Sequence, residues 1–530
     1  MMFDLLIQNV QVLDGLGKKE FHSDIAVKGD EIAEIGNLAG AEAKRVLNGK
    51  GLHISPGFID VHTHSEFLYP LNPNAESKVH QGVTTEIIGH CGISAAPMFG
   101  DARREAESLT KMIGIDISWS NFSEYTRQLH ERGIALNVIH LLGHGALRDA
   151  VMGRTDREPT DDEIRRMQTE IDRAFEQGAW GMSTGLIYPP GIYSTTKELI
   201  ELNKAVARNG GIYSTHVRGE GATLLKAFGE AIEIGECAGV PVQISHIKAA
   251  GKNHWPLGPK ALEKMQKALE MGMDIAADMY PYTAGHTELS ALLPYWMHNE
   301  GNQKLLERLR DPAVRDRIKT EMMRGGEEFS PENLNGGYDG LFIGLSLGHP
   351  EYQGKTVKKI SEELKKDPAD TIMDIILECN CVAFVNIMDQ SEDNVRMFIQ
   401  HPKVMIGSDA SAMAPYGMLG MVVPHPRTYG TFPRVLARYV RQEKILSLPE
   451  AIRKMTSLPA ARWGISDRGV IGRGKKADLV VFDAGTIEDR ATYENPNQYP
   501  VGIRAVVVNG KIVVENDEHT GELPGRVLTR

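Results

Sequence analysis

Hydrophobic and polar residues alternate in two regions, one near each end of the chain. Near the N-terminus the alternation runs through DLLIQNVQVLDG and DIAVKGDEIAEIG, and near the C-terminus through ADLVVFDAG and AVVVNGKIVVEND. A period of two is typical of strands with one buried face, and the Asn509-Gly510 pair between two valine-rich runs predicts a hairpin. We therefore expect one small β-sandwich domain built from both chain ends, residues 1–55 and 466–530.

Between these ends, short apolar runs alternate with helical segments such as TDDEIRRMQTEIDRAFEQ, where Thr160 is the expected N-cap. This rhythm is typical of a parallel sheet and predicts an α/β fold, a TIM-like (β/α)8 barrel, over residues 56–465. There are nine candidate strands for eight places, and either DIAADMY or VAFVNIMD lies outside the barrel. The stretch at about 285–365 is too long for a simple connection, so we expect a partly helical insertion that can cover the barrel mouth.

Composition and charge argue against several classes of function. The 530 residues are 42% hydrophobic, and their formal net charge is −11. An acidic chain without a basic stripe does not favour nucleic acid or an anionic membrane as a partner. The four cysteines, at positions 91, 237, 379 and 381, form no disulfide framework, which is typical of a reducing compartment, and no apolar stretch approaches the roughly 18–20 residues of a membrane span. The N-terminus has no signal-peptide pattern, so we expect a cytoplasmic protein.

Potential metal ligands stand at the ends of five predicted strands. Because residues two apart in a strand share a face, His62 and His64 in DVHTH should project together. Barrels of this type keep their active sites at the carboxyl ends of the strands. One His-x-His pair carries little weight, but four more strand ends continue the pattern with Cys91 in GHCG, His216 in YSTH, His246 in QISH and Asp409 in MIGSD. The six residues together predict one metal centre.

The types of ligand restrict the metal and its chemistry. Imidazole, thiolate and carboxylate together suit zinc, with cobalt or manganese as substitutes in vitro. A catalytic zinc keeps one position open for water and lowers the pKa of that water to about 7. Asp409 can then be both a ligand and the general base that returns the proton to a leaving amine. The pattern therefore predicts a metal-dependent hydrolase.

The motifs around these residues resemble those of the amidohydrolase superfamily and, within it, the N-acyl-D-amino-acid deacylase (D-aminoacylase) family. The resemblance covers nearly the whole chain through PGFIDVHTHSE, GHCG, MSTGLIYPPG, STHVRGEG, ISHIKAAG, DMYPYTAG, HPRTYGTFPRVLARYV and NPNQYPVGIRAVVVNG. His-x-His specifies only the superfamily, whereas GHCG, GLIYPPG and HPRTYGTFPRVL are far more specific. The resemblance implies zinc-dependent hydrolysis of a small N-acyl-D-amino acid to a carboxylate and a free D-amino acid. The preference for the D enantiomer rests on the resemblance alone.

The resemblance also divides the ligands between two metal positions. It implies that one tight zinc position is held by Cys91, His216 and His246. A second, weaker position is then held by His62, His64 and Asp409. Several relatives join two metals with a carboxylated lysine at the end of the fourth strand, but WGMSTGL offers no lysine here. Cys91 takes the bridging place, as in the D-aminoacylases, which argues against the hydantoinase and dihydroorotase type.

Four further residues are candidates for substrate binding. Lys248, two residues past His246, can pair with the α-carboxylate of the substrate if the strand continues that far, or it is a solvated loop lysine. Tyr188 in GLIYPPG can donate a hydrogen bond to the scissile carbonyl oxygen, or it packs at a proline-rich turn. Tyr280 resembles a carboxylate-binding tyrosine of the family, with a core role as the alternative. His286 stands where relatives often carry a serine. This difference affects which substrate side chain the site prefers and how it recognises the substrate carboxylate.

Other functions stay open beside the main hypothesis. The altered segment around His286 favours hydrolysis of another amide, such as a cyclic, hydantoin-like amide or a D-dipeptide. Deaminase chemistry is less favoured, because Glu220 lies four residues after His216 instead of three and no glutamate closely follows His246. A non-catalytic barrel scaffold is the remaining alternative, and the complete set of six ligands counts against it.

Overall fold

The computed structural model describes residues 2–111, 114–323 and 330–530. Its strands, numbered along the chain, are β1 (Phe3–Val12), β2 (Phe21–Lys28), β3 (Glu31–Gly36), β4 (Ala43–Asn48), β5 (His53–Pro56), β6 (Phe58–Asp60), β7 (Val83–Ile88), β8 (Asn137–Gly143), β9 (Ala179–Gly185), β10 (Ile212–His216), β11 (Val242–Ile244), β12 (Ile275–Met279), β13 (Gly285–Glu288), β14 (Leu341–Ser346), β15 (Ala383–Ile387), β16 (Val404–Ile406), β17 (Leu479–Phe482), β18 (Ile503–Val508), β19 (Lys511–Glu515) and β20 (Glu518–His519).

The α-helices connect these strands and cover the sheets. They are α1 (Glu76–Val79), α2 (Gly100–Thr110), α3 (Phe122–Arg132), α4 (His144–Met152), α5 (Asp161–Glu176), α6 (Thr196–Arg208), α7 (Leu224–Ala238), α8 (Leu257–Glu270), α9 (Asn302–Arg308), α10 (Pro312–Met323), α11 (Val357–Leu364), α12 (Pro368–Glu378), α13 (Glu392–Gln400), α14 (Arg427–Arg434), α15 (Leu448–Met455) and α16 (Ser457–Trp463). Thr160 caps α5 with a capping box, as the sequence predicts. Among the described helices, none is both long and apolar enough to cross a membrane.

The two chain ends form one nine-stranded sheet. Its order is β20-β19-β18-β17-β5-β1-β2-β3, with β4 beside β1, and the two ends of the chain meet where β17 pairs antiparallel with β5. The predicted hairpin lies between β18 and β19, where Asn509 and Gly510 both have positive φ. Side chains on one face of the sheet, such as Val481, pack together in a separate apolar cluster. Side chains on the other face, such as the neighbouring Val480, pack against the barrel core. A small β domain built from both ends is therefore confirmed.

Eight parallel strands form the barrel. Their order is β6, β7, β8, β9, β10, β11, β12 and β16, so neighbours in space follow one another along the chain. Every residue of these strands is buried, as expected for a parallel sheet covered by helices. A bridge between Thr63 and Ala410, just past the ends of β6 and β16, brings the first and last strands together. The near-closed barrel is confirmed, and DIAADMY is its seventh strand.

The remaining candidate strand, VAFVNIMD, supplies β15 and lies outside the barrel. It is the central strand of a small antiparallel sheet with the order β13-β15-β14, whose strands fall between Gly285 and Ile387. Helices α9 to α12 pack on this sheet in a separate apolar cluster. The Gly251 amide donates a hydrogen bond to the Asp389 carbonyl, with 2.7 Å between N and O, so the end of this sheet borders the barrel mouth. The sequence-based domain limits stay predictions.

A buried lysine ties the first barrel strand to the last. The Lys78 ammonium is fully buried and lies 2.9 Å from a carboxylate oxygen of Asp60. It also donates hydrogen bonds of 2.7 Å to the Ser408 hydroxyl and 2.9 Å to the Ala410 carbonyl. Burial favours the neutral amine, but the neighbouring carboxylates outweigh it and raise the pKa of Lys78. Since Ser408 and Ala410 flank Asp409, these two contacts fix the residues on both sides of a predicted ligand.

Candidate metal centre

The barrel brings all six ligand-type residues to one place at the carboxyl ends of its strands. β10 ends on His216 itself, whereas the other ligands lie two to four residues past their strands. There the backbone turns sharply: φ is +52° at Cys91, +34° at His246 and +51° at Asp409. Residues other than glycine adopt such conformations rarely and at a cost in free energy. These turns, rather than strand alternation, aim the three side chains at the site.

The Cys91 sulfur lies at the centre of the cluster. Its Sγ atom is 3.4 Å from Nε2 of His62, 3.8 Å from Nδ1 of His216 and 3.5 Å from Nε2 of His246. Tetrahedral zinc, with bonds of about 2.3 Å to sulfur and about 2.05 Å to nitrogen, holds S and N about 3.6 Å apart. The donor set therefore fits zinc. Burial raises the pKa of the Cys91 thiol well above its usual range, and a bound dication would favour the thiolate.

The ligand atoms form three overlapping groups. In each group the atoms lie within 4.8 Å of one another, and the groups are His62, His64 and Cys91; Cys91, His216 and His246; and His62, His246 and Asp409. Cys91, His62 and His246 each belong to two of the three groups. Of these three, only a thiolate sulfur can bind two metal ions through one atom, because each imidazole nitrogen has a single lone pair.

The Asp409 carboxylate lies between imidazoles and an arginine. Its Oδ1 is 3.0 Å from Nε2 of His64 and 3.5 Å from Nε2 of His62, and its Oδ2 is 2.9 Å from Nη1 of Arg427. Burial alone would raise the pKa of Asp409, but Arg427 and the imidazoles hold it well below its usual range. The carboxylate is therefore ionised at neutral pH, as a ligand and a proton acceptor must be.

The sequence patterns do not single out Arg427, although it lies within the motif HPRTYGTFPRVL. It is 2% exposed and begins α14, and its Cζ atom lies 4.4 Å from the centre of the Tyr280 ring. Its Nε atom makes no hydrogen bond within the described parts of the chain. A buried guanidinium with an unused donor can bind an anion. Because arginine is not a metal ligand and this one follows a loop, the strand-end pattern could not find it.

Lys248 is buried beside the ligands and is not a solvated loop residue. Its ammonium donates a hydrogen bond to Oε1 of Glu220, and its Nζ lies 2.7 Å from Nδ1 of His246. β11 ends at Ile244, so the strand does not continue as far as Lys248. The turn at His246 brings the lysine to the site instead.

The two candidate tyrosines also lie at the site. The Tyr188 hydroxyl is 3.0 Å from Oγ1 of Thr287 on β13, and its ring meets the His216 ring edge-on with 5.2 Å between the ring centres. The Tyr280 hydroxyl accepts a hydrogen bond of 2.9 Å from Nε2 of Gln390. Tyr188 is therefore next to a predicted metal ligand, and Tyr280 lies next to Arg427.

His286 lies farther from the ligands, on the first strand of the insertion. Its Nδ1 is 2.8 Å from Oδ1 of Asn386, and its ring stacks on Phe384. Burial, with a contribution from the nearby Arg427, lowers the pKa of His286 to about 4, so the ring is neutral. In the described parts of the chain, its hydrogen-bond and ring partners are residues other than the six ligands.

Asp278 supports two of the ligands and is not found by the sequence patterns either. One oxygen lies 3.1 Å from Nδ1 of His62 and accepts a 2.7 Å hydrogen bond from the His246 amide. An imidazole that donates Nδ1–H to a carboxylate presents Nε2 to a metal. Because Asp278 lies within β12 instead of after it, the strand-end pattern missed it.

Comparison with known proteins agrees with this geometry. The sequence profile described as the Amidohydrolase family matches residues 45–514. The D-aminoacylase of Alcaligenes xylosoxydans xylosoxydans is 34% identical over 528 residues, which cover 100% of this chain and 98% of the relative. The N-acyl-D-glutamate deacylase of the same organism is 33% identical, and the match covers 99% of this chain and 96% of the relative. The N-acyl-D-aspartate deacylase of that organism is 34% identical, and the match covers 99% of this chain and 95% of the relative.

Solved structures agree in the same way. A crystal structure of D-aminoacylase superposes with a TM-score of 0.83 at 34% identity, with 100% of both chains covered. The N-acyl-D-glutamate deacylase of Bordetella bronchiseptica, complexed with zinc and a phosphonate mimic of the tetrahedral intermediate, gives 0.84 at 31% identity with the same coverage. The D-aminoacylase structures include a binuclear metal centre. This chain belongs to the amidohydrolase family. Within that family it is a metal-dependent amidohydrolase of the D-aminoacylase type.

Proposed function

We propose that this protein is a zinc-dependent deacylase that hydrolyses N-acyl-D-amino acids to a carboxylate and a free D-amino acid. The observation that carries the proposal is the cluster around Cys91, whose Sγ lies 3.4–3.8 Å from three imidazole nitrogens. Full-length similarity to deacylases of N-acyl-D-amino acids supports the choice of substrate. When bound, zinc would lower the pKa of the attacking water and polarise the acyl carbonyl.

Asp409 moves the proton in this proposal. Its carboxylate accepts a proton from the attacking water and passes it to the nitrogen of the leaving amine as the C–N bond breaks. Arg427 contacts Oδ2, and the imidazoles of His62 and His64 lie beside Oδ1. Lys78 contacts the Ser408 hydroxyl and the Ala410 carbonyl, and so fixes both neighbours of Asp409 in the turn that aims the carboxylate.

Two cations can receive the α-carboxylate of the substrate. Nζ of Lys248 and Cζ of Arg427 lie 5.8 Å and 4.4 Å from the centre of the same Tyr280 ring. A carboxylate between them would gain charge-assisted hydrogen bonds. Tyr188 would exchange its hydrogen bond to Thr287 for one to the acyl oxygen as negative charge develops there.

The alternatives that remained open from the sequence have less support. A cyclic amide is the substrate of relatives that bridge two metals with a lysine on the fourth strand, and β9 carries no lysine. A non-catalytic scaffold would not require six metal-ligand side chains to be brought together at buried turns. Deacylation of a linear amide therefore remains the proposal.

A paired panel tests the reaction. We expect zinc-loaded protein to release free amine from N-acetyl-D-methionine and N-acetyl-D-leucine. Release from their L enantiomers should be at least about 100 times slower, which corresponds to a difference of about 2.7 kcal/mol in transition-state binding. Amine release and zinc content are measured on the same samples, with chelator-treated protein as the control. Zinc-loaded protein that opens dihydrouracil or hydantoin rings faster than it deacylates would contradict the proposal.

We also infer that neutral substrate side chains are preferred over acidic ones. Lys248 and Arg427 are the cations proposed for the α-carboxylate, and each also pairs with a carboxylate of the protein, Glu220 or Asp409, so neither is assigned to an acidic side chain of the substrate. The Asp389 carboxylate lies close to Gly285, which also neighbours the Tyr280 hydroxyl, and its Oδ1 makes no hydrogen bond in the described parts of the chain. Burial raises the pKa of Asp389 to about 7, so about half of it is ionised at pH 7 and most of it at pH 8. A second carboxylate brought there by the substrate would be repelled.

At pH 8, where Asp389 is mostly charged, we expect kcat/KM to be at least about tenfold higher for N-acetyl-D-leucine than for N-acetyl-D-glutamate. A tenfold ratio corresponds to about 1.4 kcal/mol in transition-state binding. Asp389→Asn should narrow the ratio mainly by raising the rate with N-acetyl-D-glutamate. A wild-type protein that prefers the acidic substrate would overturn this inference and leave the deacylase proposal intact. The relatives that act on acidic and on other substrates are equally similar in sequence, so identity does not decide the question.

A further inference from the structure

Glu220 faces the outer side of two predicted metal ligands. Its Oε1 lies 3.1 Å from Nδ1 of His246, and its Oε2 lies 3.6 Å from Nε2 of His216. The opposite nitrogens of these rings, Nε2 of His246 and Nδ1 of His216, face the sulfur of Cys91. One carboxylate therefore contacts both imidazoles on the side away from the metal position.

The two rings need opposite tautomers. An imidazole binds a metal through its unprotonated nitrogen, so the proton must sit on the other one. His246 has to carry it on Nδ1 and His216 on Nε2, and the two oxygens of Glu220 are the acceptors beside them. Nε2 of His216 is buried and makes no hydrogen bond within the described parts of the chain, and Oε2 of Glu220, at 3.6 Å, is the carboxylate oxygen that faces it. Without Glu220, the buried N–H would lose the anion toward which it points.

The same carboxylate also holds Lys248. Oε1 accepts a hydrogen bond from the lysine ammonium, which also lies within hydrogen-bond distance of Nδ1 of His246, at 2.7 Å. Lysine can only donate in that contact, so once Nδ1 carries the proton that metal binding requires, Oε1 of Glu220 is the acceptor beside both groups. The Glu220 carbonyl accepts a 2.8 Å hydrogen bond from the Ala250 amide, which joins the loop after β10 to the loop after β11.

We propose that Glu220 is a positioning residue with two tasks. It keeps His216 and His246 in the tautomers that bind the metal, and it places Lys248 where the α-carboxylate of the substrate arrives. The second task rests on the proposed function, whereas the first concerns metal binding alone. Glu220 acts through its neighbours and is not assigned a contact with the reacting atoms.

Zinc affinity and substrate affinity separate the two tasks. Glu220→Gln keeps the shape of the side chain but replaces one acceptor oxygen with a donor, so it cannot accept from both imidazoles. We expect the zinc affinity, measured by competition with a chromophoric chelator, to fall about 10- to 100-fold. Lys248→Met should leave zinc affinity within about threefold of wild type and raise KM for N-acetyl-D-leucine at least about tenfold. The double variant should bind zinc as weakly as Glu220→Gln alone.

Glu230→Gln is the matched control. Glu230 is about as buried as Glu220, and it pairs with Arg218 instead of with a ligand. Its zinc affinity should equal that of wild type. Glu220→Asp, which keeps the charge, should recover part of the lost affinity, and thermal unfolding of the zinc-free proteins checks that all variants fold.

Unchanged zinc affinity in Glu220→Gln, or an equal loss in Glu230→Gln, would overturn the metal task. An unchanged KM in Lys248→Met would overturn the second task. If no N-acyl amino acid is hydrolysed by wild type, the proposed function and the second task fail together, while the zinc measurements still decide the first.

Discussion

Replacing Asp409 with asparagine is expected to lower kcat for N-acyl-D-amino acids by about 10²- to 10⁴-fold, the usual contribution of a general acid–base group. Asparagine keeps the size of the side chain and one oxygen, but it cannot take a proton from water or return it to the amine. The contacts of Lys78 with Ser408 and Ala410 should hold the turn in the variant as in wild type. The measurement is kcat at saturating substrate, with zinc content determined on the same protein.

Asp489→Asn serves as the control for this result. Asp489 is largely buried and pairs with Arg434 at 3.0 Å, so its replacement also removes a carboxylate from an ion pair, but one outside the ligand cluster. Its kcat should stay within about threefold of wild type, since it takes no part in proton transfer. Near-normal turnover by zinc-loaded Asp409→Asn would rule out Asp409 as the acid and base.

Replacing Cys91 with alanine is expected to have the second largest effect. Cys91 is the predicted bridging ligand, and its sulfur lies 3.4–3.8 Å from three imidazole nitrogens, so its loss should weaken both predicted metal positions at once. Removing a group that only supports a ligand costs about 10- to 100-fold in metal affinity, and removing a shared ligand should therefore cost more than about 100-fold. The measurement is zinc affinity by chelator competition, with deacylation followed at saturating and at substoichiometric zinc.

A second buried cysteine provides the control. Cys379 is 1% exposed, reduced, and packed in the apolar cluster of the insertion, outside the ligand groups. Cys379→Ala should cost stability through the small cavity that it leaves but keep the zinc affinity of wild type. Zinc bound by Cys91→Ala as tightly as by wild type would show that the sulfur is not a ligand.

Periodicity predicted much of the architecture because it follows directly from which faces are buried. Alternating residues indicated the terminal sheet, and Asn509-Gly510 indicated its hairpin, since both residues of that turn need positive φ. Periodicity could not choose between DIAADMY and VAFVNIMD. Both are short apolar runs, and only hydrogen bonding to partners far along the chain puts β12 in the barrel and β15 in the insertion.

The ligand set was visible in the sequence for a similar reason. Strand ends of a parallel barrel meet at one rim, so ligand-type residues at five strand ends predict one site whatever lies between them. The way in which they meet was not visible. In a continuous strand, His246 and Lys248 would point to the same face because they are two residues apart. However, β11 stops at Ile244, and a turn with positive φ at His246 brings both side chains to the site instead.

The sequence by itself determined the class of fold, the ligand types and the family, because each depends on local pattern or on motifs that can be compared directly. Only the tertiary structure decided which charges support the site. Arg427 lies beside Asp409, Asp278 beside His62, and Glu220 between two imidazoles and a lysine, and these partners are 4 to 216 residues apart along the chain. Charged residues are common in any sequence, and they acquire a role only when folding removes water and brings each one against specific partners.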